Sequence, residues 1–462
     1  MSKEKIEPFM NPRSVAVIGA SRKTGRGSFN VIENMLDFGY RGKIYPVNPM
    51  AGEIAGIRAF PDVKEIKEPV DLAIINTPRK TIPPILKQCA SQGIKSAVII
   101  PQGFSDSDEK GNSLQLRLTE IAGETGIRLL GPNTLGVINA FSGFTSSFMP
   151  LKREIAPVGV VCQSGIFFVG SSLFTGIMGK GIDLGNSCDL DFSDAVEYFG
   201  EDDDIEVIFL HIEGMNDGRR FLETAERVSR RKPIVSLKTA RSEMGARAAA
   251  SHSGSMVGSH EVFESAFRQT GIISTSDPED ILDFTKALLN LPPMKGNRVA
   301  IVTFTGAGGI ILIDDMYDQG LEPARLSPYT ITAIKDLSPS WMPIGNPVDI
   351  WPAVMKNSMD HVYSVALEAV LEDPNVDGVI CIAIAPELPE NSYLDATGTI
   401  RYIASKYREK PVVAWLYGPE QKTVSRKLER DGHVVSLPSL PRAVRTLGAL
   451  YRRHLFLEGL AV

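Results

Sequence analysis

His252 lies in the run Ala250-Ser251-His252-Ser253-Gly254-Ser255, whose neighbours are all small. A neutral imidazole is a competent nucleophile near neutral pH, and its phosphoramidate is a reactive carrier of a phosphoryl group. Small neighbours leave such a side chain room to move. A phosphorylated imidazole also needs its second ring nitrogen held by an acceptor, which fixes the tautomer and supports positive charge. Glu213 is the candidate acceptor: it ends the apolar run Val207-Ile208-Phe209-Leu210-His211-Ile212 and precedes Gly214. The same residue types also fit a plain loop histidine and a solvated loop carboxylate. His211, inside the apolar run, reads as core. His361, His433 and His454 read as surface or structural, and His260 is too far along the chain to be an assured partner.

Three glycine-rich turns supply places for anions. The first, Gly19-Ala20-Ser21-Arg22-Lys23-Thr24-Gly25-Arg26-Gly27, follows the strand-like Ser14-Val15-Ala16-Val17-Ile18 and precedes a helix over 28–38. Backbone N–H groups, a helix start and Arg22, Lys23 and Arg26 suit a phosphorylated cofactor, and glycine alone also makes a tight turn. The spacing is not GxGxxG, and the second strand ends Tyr45-Pro46-Val47-Asn48-Pro49 with no acid for a ribose, which argues against NAD. The second turn is Gln163-Ser164-Gly165 and the third Thr305-Gly306-Ala307-Gly308-Gly309. Neither carries basic residues. Two bare helix starts aimed at one point would hold a phosphoryl group, but the sequence does not show that they converge.

The elements that position these residues are short apolar, β-branched runs alternating with amphipathic segments. Besides those quoted they include Leu72-Ala73-Ile74-Ile75, Ala97-Val98-Ile99-Ile100, Val158-Gly159-Val160-Val161, Val299-Ala300-Ile301-Val302 and Val379-Ile380-Cys381-Ile382. Runs apolar on both faces predict parallel strands covered by helices, an α/β architecture of repeated βαβ units. Breaks near 140–157 and 291–297 divide 462 residues into three consecutive doubly wound domains, 1–145, 146–292 and 296–462. In the first domain, Asn76-Thr77-Pro78, Gln102-Gly103 and Gly131-Pro132-Asn133 also fall at strand ends, where open parallel sheets bind ligands.

Composition narrows the function. A net charge of −6 without clustered Lys and Arg argues against nucleic acid. No apolar stretch reaches bilayer length and no apolar leader follows Met1, so a cytoplasmic chain with no membrane partner is expected. Cys89, Cys162, Cys188 and Cys381 have no metal-ligand spacing and read as buried thiols, and no metal site is expected.

Taken in order, these segments are similar to the α subunits of ADP-forming acyl-CoA synthetases, relatives of succinyl-CoA synthetase. The resemblance also rests on Gly185-Asn186 with Asp189 and Asp191, Lys238 with Gly245-Ala246-Arg247-Ala248-Ala249, and Asn346-Pro347-Val348-Asp349. It implies a CoA-binding Rossmann-like domain and two flavodoxin-like ligase domains. It implies an NDP-forming ligase in which His252 carries phosphate, Glu213 supports it, and Gln163, Ser164, Gly165, Gly306, Ala307, Gly308 and Gly309 cradle the phosphate. CoA, a substrate, is placed on Gly19, Ser21, Lys23, Thr24, Gly25, Arg26, Asn48, Pro49, Asn76, Thr77, Pro78, Gln102, Gly103 and Asn133. No ATP-grasp module follows before Val462, so a separate β subunit holding Mg²⁺ and ADP/ATP, and hence a hetero-oligomer, is expected. The other ligands implied are a small carboxylic acid and phosphate. Thr134 replaces a common Cys or Ser, and Phe167 and Phe168 are bulkier than usual, so acetate is not assumed. The competing reading is a CoA-sensing regulatory module without ligase activity.

Overall fold

The computed structural model describes residues 2–25, 27–170, 178–245 and 259–460. His252 and Arg26 lie outside the described residues. Chain contacts divide it into two units, Met1–Ile281 and Leu282–Val462.

The first unit holds two sheets. In the first, β1 (Ser14–Ile18), β2 (Lys43–Val47), β5 (Leu72–Ile75), β6 (Ser96–Ile99) and β7 (Arg128–Leu130) are parallel, in the order β2-β1-β5-β6-β7. A two-stranded hairpin, β3 (Glu53–Ile54) with β4 (Ile57–Arg58), stands beside it. Successive side chains of a strand face opposite sides, and both sides here are apolar. Val15, Val17, Leu72 and Ile74 enter one core with α1 (Ser2–Met10) and α2 (Val31–Phe38). Ala16, Ile18, Ala73 and Ile75 enter the other with α3 (Ile82–Ser91) and α4 (Glu109–Thr125).

The second sheet runs β14-β13-β12-β10-β11-β8-β9. Its parallel part is β10 (Val158–Cys162), β11 (Lys180–Asp183), β12 (Val207–Ile212), β13 (Ile234–Lys238) and β14 (Ile273–Thr275). Its edge is antiparallel: β8 (Val137–Asn139) pairs with β11, and β9 (Phe144–Thr145) pairs with β8. These two strands lie within 137–145, so a boundary at 145 falls after chain that already belongs to this sheet. One core is continuous from Val15 and Ile32 to Val161, Ile182 and Ile208. The helix α1 bridges the same seam, with Lys5 3.4 Å from Asp194 and the Tyr198 hydroxyl donating to Glu7 at 3.0 Å.

The second unit contains β15 (Arg298–Thr303), β16 (Glu322–Pro323), β17 (Val348–Asp349), β18 (Gly378–Ile384), β19 (Val412–Tyr417) and β20 (Val435–Leu437), all parallel, in the order β16-β15-β18-β19-β20 with β17 also on β15. Val302, Val379 and Cys381 point into one core, and Val299, Ile301 and Ile380 into the other. Asn346 stitches this sheet: its amide donates to the Val299 and Ala324 carbonyls at 2.8 and 3.1 Å and accepts from the Ile301 N–H at 2.9 Å. Among the described residues no helix is long and apolar enough to cross a membrane.

Candidate functional site

Because the strands of the first sheet are parallel, the loops after β1, β2, β5, β6 and β7 share one edge. The structure therefore brings together Gly19 to Gly25, Asn48 and Pro49, Asn76 to Pro78, Gln102 and Gly103, and Asn133. Gly19 has φ +80°, and a Cβ there would lie 2.3 Å from the Asn76 carbonyl oxygen, so the two loops meet only through glycine. Several candidate ligands already have structural bonds. The Asn48 amide donates to the Ala20 carbonyl at 2.9 Å, and Ser21 Oγ accepts from the Lys23 N–H at 3.1 Å. Asn133, at φ +62°, takes its own N–H to the Pro101 carbonyl at 3.0 Å. Thr24, Pro49, Asn76, Pro78 and Gln102 are exposed.

The turn after β1 differs from the sequence expectation in two ways. The helix starts at Val31, not at 28, because Asn30 caps it: its side chain accepts from the Ile32 and Glu33 N–H groups at 2.9 and 3.4 Å. The Asn30 amide also donates to the Ser21 and Lys23 carbonyls at 3.1 and 2.9 Å. Second, the Gly25 N–H donates to both carboxylate oxygens of Glu33 at 2.9 Å, and Ser28 donates to Glu33 at 3.0 Å. The turn expected to receive a phosphate thus holds the chain's own anion. A carboxylate at the third helical position is ordinary helix chemistry, so its reach back into the turn is not visible in sequence.

The carboxyl ends of the second sheet make a separate constellation. Gln163 follows β10, and its side-chain oxygen accepts the N–H groups of Glu213 and Gly214 at 2.8 and 3.1 Å. This fixes the backbone from which the Glu213 side chain projects. One oxygen of that half-buried carboxylate, Oε2, is buried and has no hydrogen-bond partner among the described residues. Such an acceptor is costly unless a hydrogen-bond donor meets it. Ser164 precedes a helix described over Gly165–Val169 and makes no side-chain cap bond.

Two residues here are not singled out as site residues by the sequence. Asp183 ends β11, buried, and accepts the Leu135 N–H at 2.6 Å and the Gly185 N–H at 3.2 Å. Burial, with the charge of Glu213 adding to it, pushes this carboxyl up to about 6 against the pull of those N–H groups. Lys238 ends β13, and burial brings its ammonium down to about 8 while Glu213 opposes the shift. The readable signal in both cases is a charged residue closing a short apolar run. His211, as expected, is core: it stacks on Phe167 with ring centroids 4.1 Å apart. Burial, then the charge of Lys238, holds its imidazole down to about 3. Burial likewise pushes the Cys162 thiol far up, Asp183 adding to it. Cys89 and Cys381 are buried as well, whereas Cys188 is only half-buried, in the loop after β11.

The two edges meet at a cavity of about 370 Å³. Gln102, Asn133, Thr134 and Leu135 come from the first edge, Gly165 and Asp183 from the second, and Phe148 closes one side. Phe148 packs edge-on to Phe29, and the Asn34 amide holds its carbonyl at 2.7 Å. A cavity lined by both polar and apolar side chains, between the loop ends of two parallel sheets, suits a small ligand.

In the second unit, Gly306, Ala307, Gly308 and Gly309 open the helix Gly306–Asp318. A Cβ at Gly309 would lie 2.7 Å from Pro347, and one at Gly308 2.8 Å from Ile382, so these glycines seat the helix against its sheet. Among the described residues no cluster of three or more His, Cys, Asp or Glu could hold a metal ion.

Two family models match the chain: a CoA binding domain over residues 13–140 and a succinyl-CoA ligase like flavodoxin domain over 156–288. The α subunit of acetate–CoA ligase (ADP-forming) II from Pyrococcus furiosus is 35% identical over 96% of this chain and 96% of its own length. Acetate–CoA ligase (ADP-forming) II from Archaeoglobus fulgidus is 37% identical over 96% of this chain, which spans 66% of that longer protein. A solved structure of dinucleotide forming acetyl-coenzyme A synthetase 1 from Ca. Korarchaeum cryptofilum, in complex with phosphate and ADP, superposes with a TM-score of 0.86 at 31% identity, covering 100% of both chains.

Proposed function

Since this chain belongs to the family of α subunits of ADP-forming acetate–CoA ligases, which are acid–thiol ligases, we propose that it interconverts an acyl-CoA, phosphate and ADP with a carboxylic acid, CoA and ATP by way of a phosphohistidine at His252. The observation that carries the reading is the buried, unpartnered Oε2 of Glu213, on a backbone fixed by Gln163. An imidazole N–H is a donor that would satisfy such an oxygen.

The steps balance as three displacements. A phosphate oxygen attacks the thioester carbonyl carbon, the C–S bond breaks, and acyl phosphate and CoA thiolate result. An imidazole nitrogen of His252 then attacks phosphorus, and the P–O bond breaks toward the carboxylate, which leaves as the free acid. Finally the ADP β-phosphate oxygen attacks phosphohistidine, the P–N bond breaks, and ATP leaves. In this scheme the first-sheet edge holds CoA. The cavity at Asn133, Leu135 and Asp183 receives the thioester end, and Glu213 orients the imidazole and supports its charge. The turn at Gln163-Ser164-Gly165 offers N–H donors to the phosphoryl oxygens. A β partner supplies the nucleotide and Mg²⁺ site.

The test mixes the chain with an ATP-grasp β subunit from a family member, a panel of acyl-CoAs, labelled phosphate and ADP. ATP forms, and acid-labile label appears on His252 before ADP is added. His252→Ala loses both. Label that persists in that variant overturns the assignment, and CoA binding without any label identifies a sensor instead.

A further inference from the structure

A carboxylate and an imidazole carried on different parts of the chain meet reproducibly only if the roots of those parts are held together. We propose that Lys238 is the positioning residue that sets this relation, its ammonium stapling the end of β12 to both roots of the segment that holds His252. The proposal rests on the phosphohistidine reading above.

Lys238 is 2% exposed, a burial that an ammonium tolerates only when its protons are used. It donates to the Glu213 carbonyl at 2.9 Å and to the Thr239 carbonyl at 2.5 Å. Its nitrogen also lies 4.9 Å from the centroid of the Phe263 ring. The three partners sit at three separate places. Glu213 follows β12. Thr239 is the first residue after β13, where the chain leaves for His252. Phe263 belongs to the helix His260–Thr270, by which the chain returns.

The entering root is itself tightly turned. The Thr239 N–H donates to the Ile212 carbonyl at 3.1 Å, and Ala240 next to it has φ +58°. A non-glycine residue in the left-handed region persists only where its surroundings hold it. Both bonds from Lys238 go to main-chain carbonyls, which leaves the Glu213 side chain for another partner. An apolar residue of similar length would fill the space without joining the three segments.

The experiment uses the assembled α–β protein with acyl-CoA and labelled phosphate. Wild type, Lys238→Met and Lys238→Arg are compared for the rate of His252 labelling, for KM of acyl-CoA and for CoA affinity by calorimetry. Lys238→Met is expected to label His252 at least thirtyfold more slowly, with KM and CoA affinity within twofold of wild type. Lys238→Arg, which retains a donating cation, is expected to recover a substantial part of the rate. Labelling of Lys238→Met within threefold of wild type would overturn the proposal. So would a loss of CoA affinity in step with labelling in both variants, because the lysine would then be supporting the fold and not the relay. Absence of label in the wild type would instead sink the phosphohistidine reading itself.

Discussion

At the scale of single residues, the chemistry gathers where burial and charge conflict. Glu213 offers a buried oxygen to a partner it does not meet among the described residues. Glu213→Gln keeps the shape and removes the charge, so phosphohistidine formation should fall by about a hundredfold or more, read as the single-turnover rate of label transfer. Gln163→Leu frees the two N–H groups that Gln163 now accepts. It is expected to lower stability by about 1–3 kcal/mol in denaturant melts and to slow labelling. His211 contributes a pH dependence with a definite sign. Its folded value is held down to about 3, from an ordinary 6.5. Between those values the unfolded chain binds a proton that the folded chain does not, so stability falls as pH drops from 6.5 toward 3. One proton corresponds to about 1.4 kcal/mol per pH unit. Asp183, raised to about 6, adds a slope of opposite sign over the same range in both proteins, so urea melts between pH 4 and 6 should show stability falling more steeply with decreasing pH in the wild type than in His211→Phe.

At the scale of elements, strands apolar on both faces are legible in the sequence, and so are the glycine-rich turns that follow them. Val15-Ala16-Val17-Ile18 admits no exposed face, and Gly19 admits no side chain. What remains illegible depends on partners distant in the chain. The strands β8 and β9 span three and two residues, too few for a period, and carry buried polar Asn139 and Thr145. Asp183 becomes significant only when the Leu135 N–H and Glu213 arrive beside it from other elements. Glu33 is legible as part of a helix, yet its carboxylate fills the turn after β1. An anion entering that turn must displace it. Glu33→Gln removes the competing charge and is expected to tighten CoA binding by about three- to tenfold, an effect on the order of 1 kcal/mol, measured by calorimetry at low salt. The same gain should shrink at high salt.

At the scale of the whole molecule, the proposed function is divided. The first unit carries the loop edge proposed for CoA, the edge that holds Glu213 and Asp183, and the cavity between them. The second repeats the sheet-and-glycine-turn design in Gly306 to Gly309. On the proposed reading, with the nucleotide site on a partner, the purified chain alone should bind CoA and release no ATP from acyl-CoA, phosphate and ADP. ATP production by the isolated chain, followed by a luciferase assay, would contradict that division.

The antiparallel edge formed by β8 and β9 bears on how such proteins can be recombined. The two family matches leave 141–155 between them, which invites a crossover there when chimeras are built. A chimera joined at 145 would import the donor's edge strands with the wrong partner, setting foreign residues against β11. A crossover ahead of Val137 keeps each sheet with its own parentage. Libraries shuffled at the two positions should therefore differ in soluble yield even when every module comes from a functional parent.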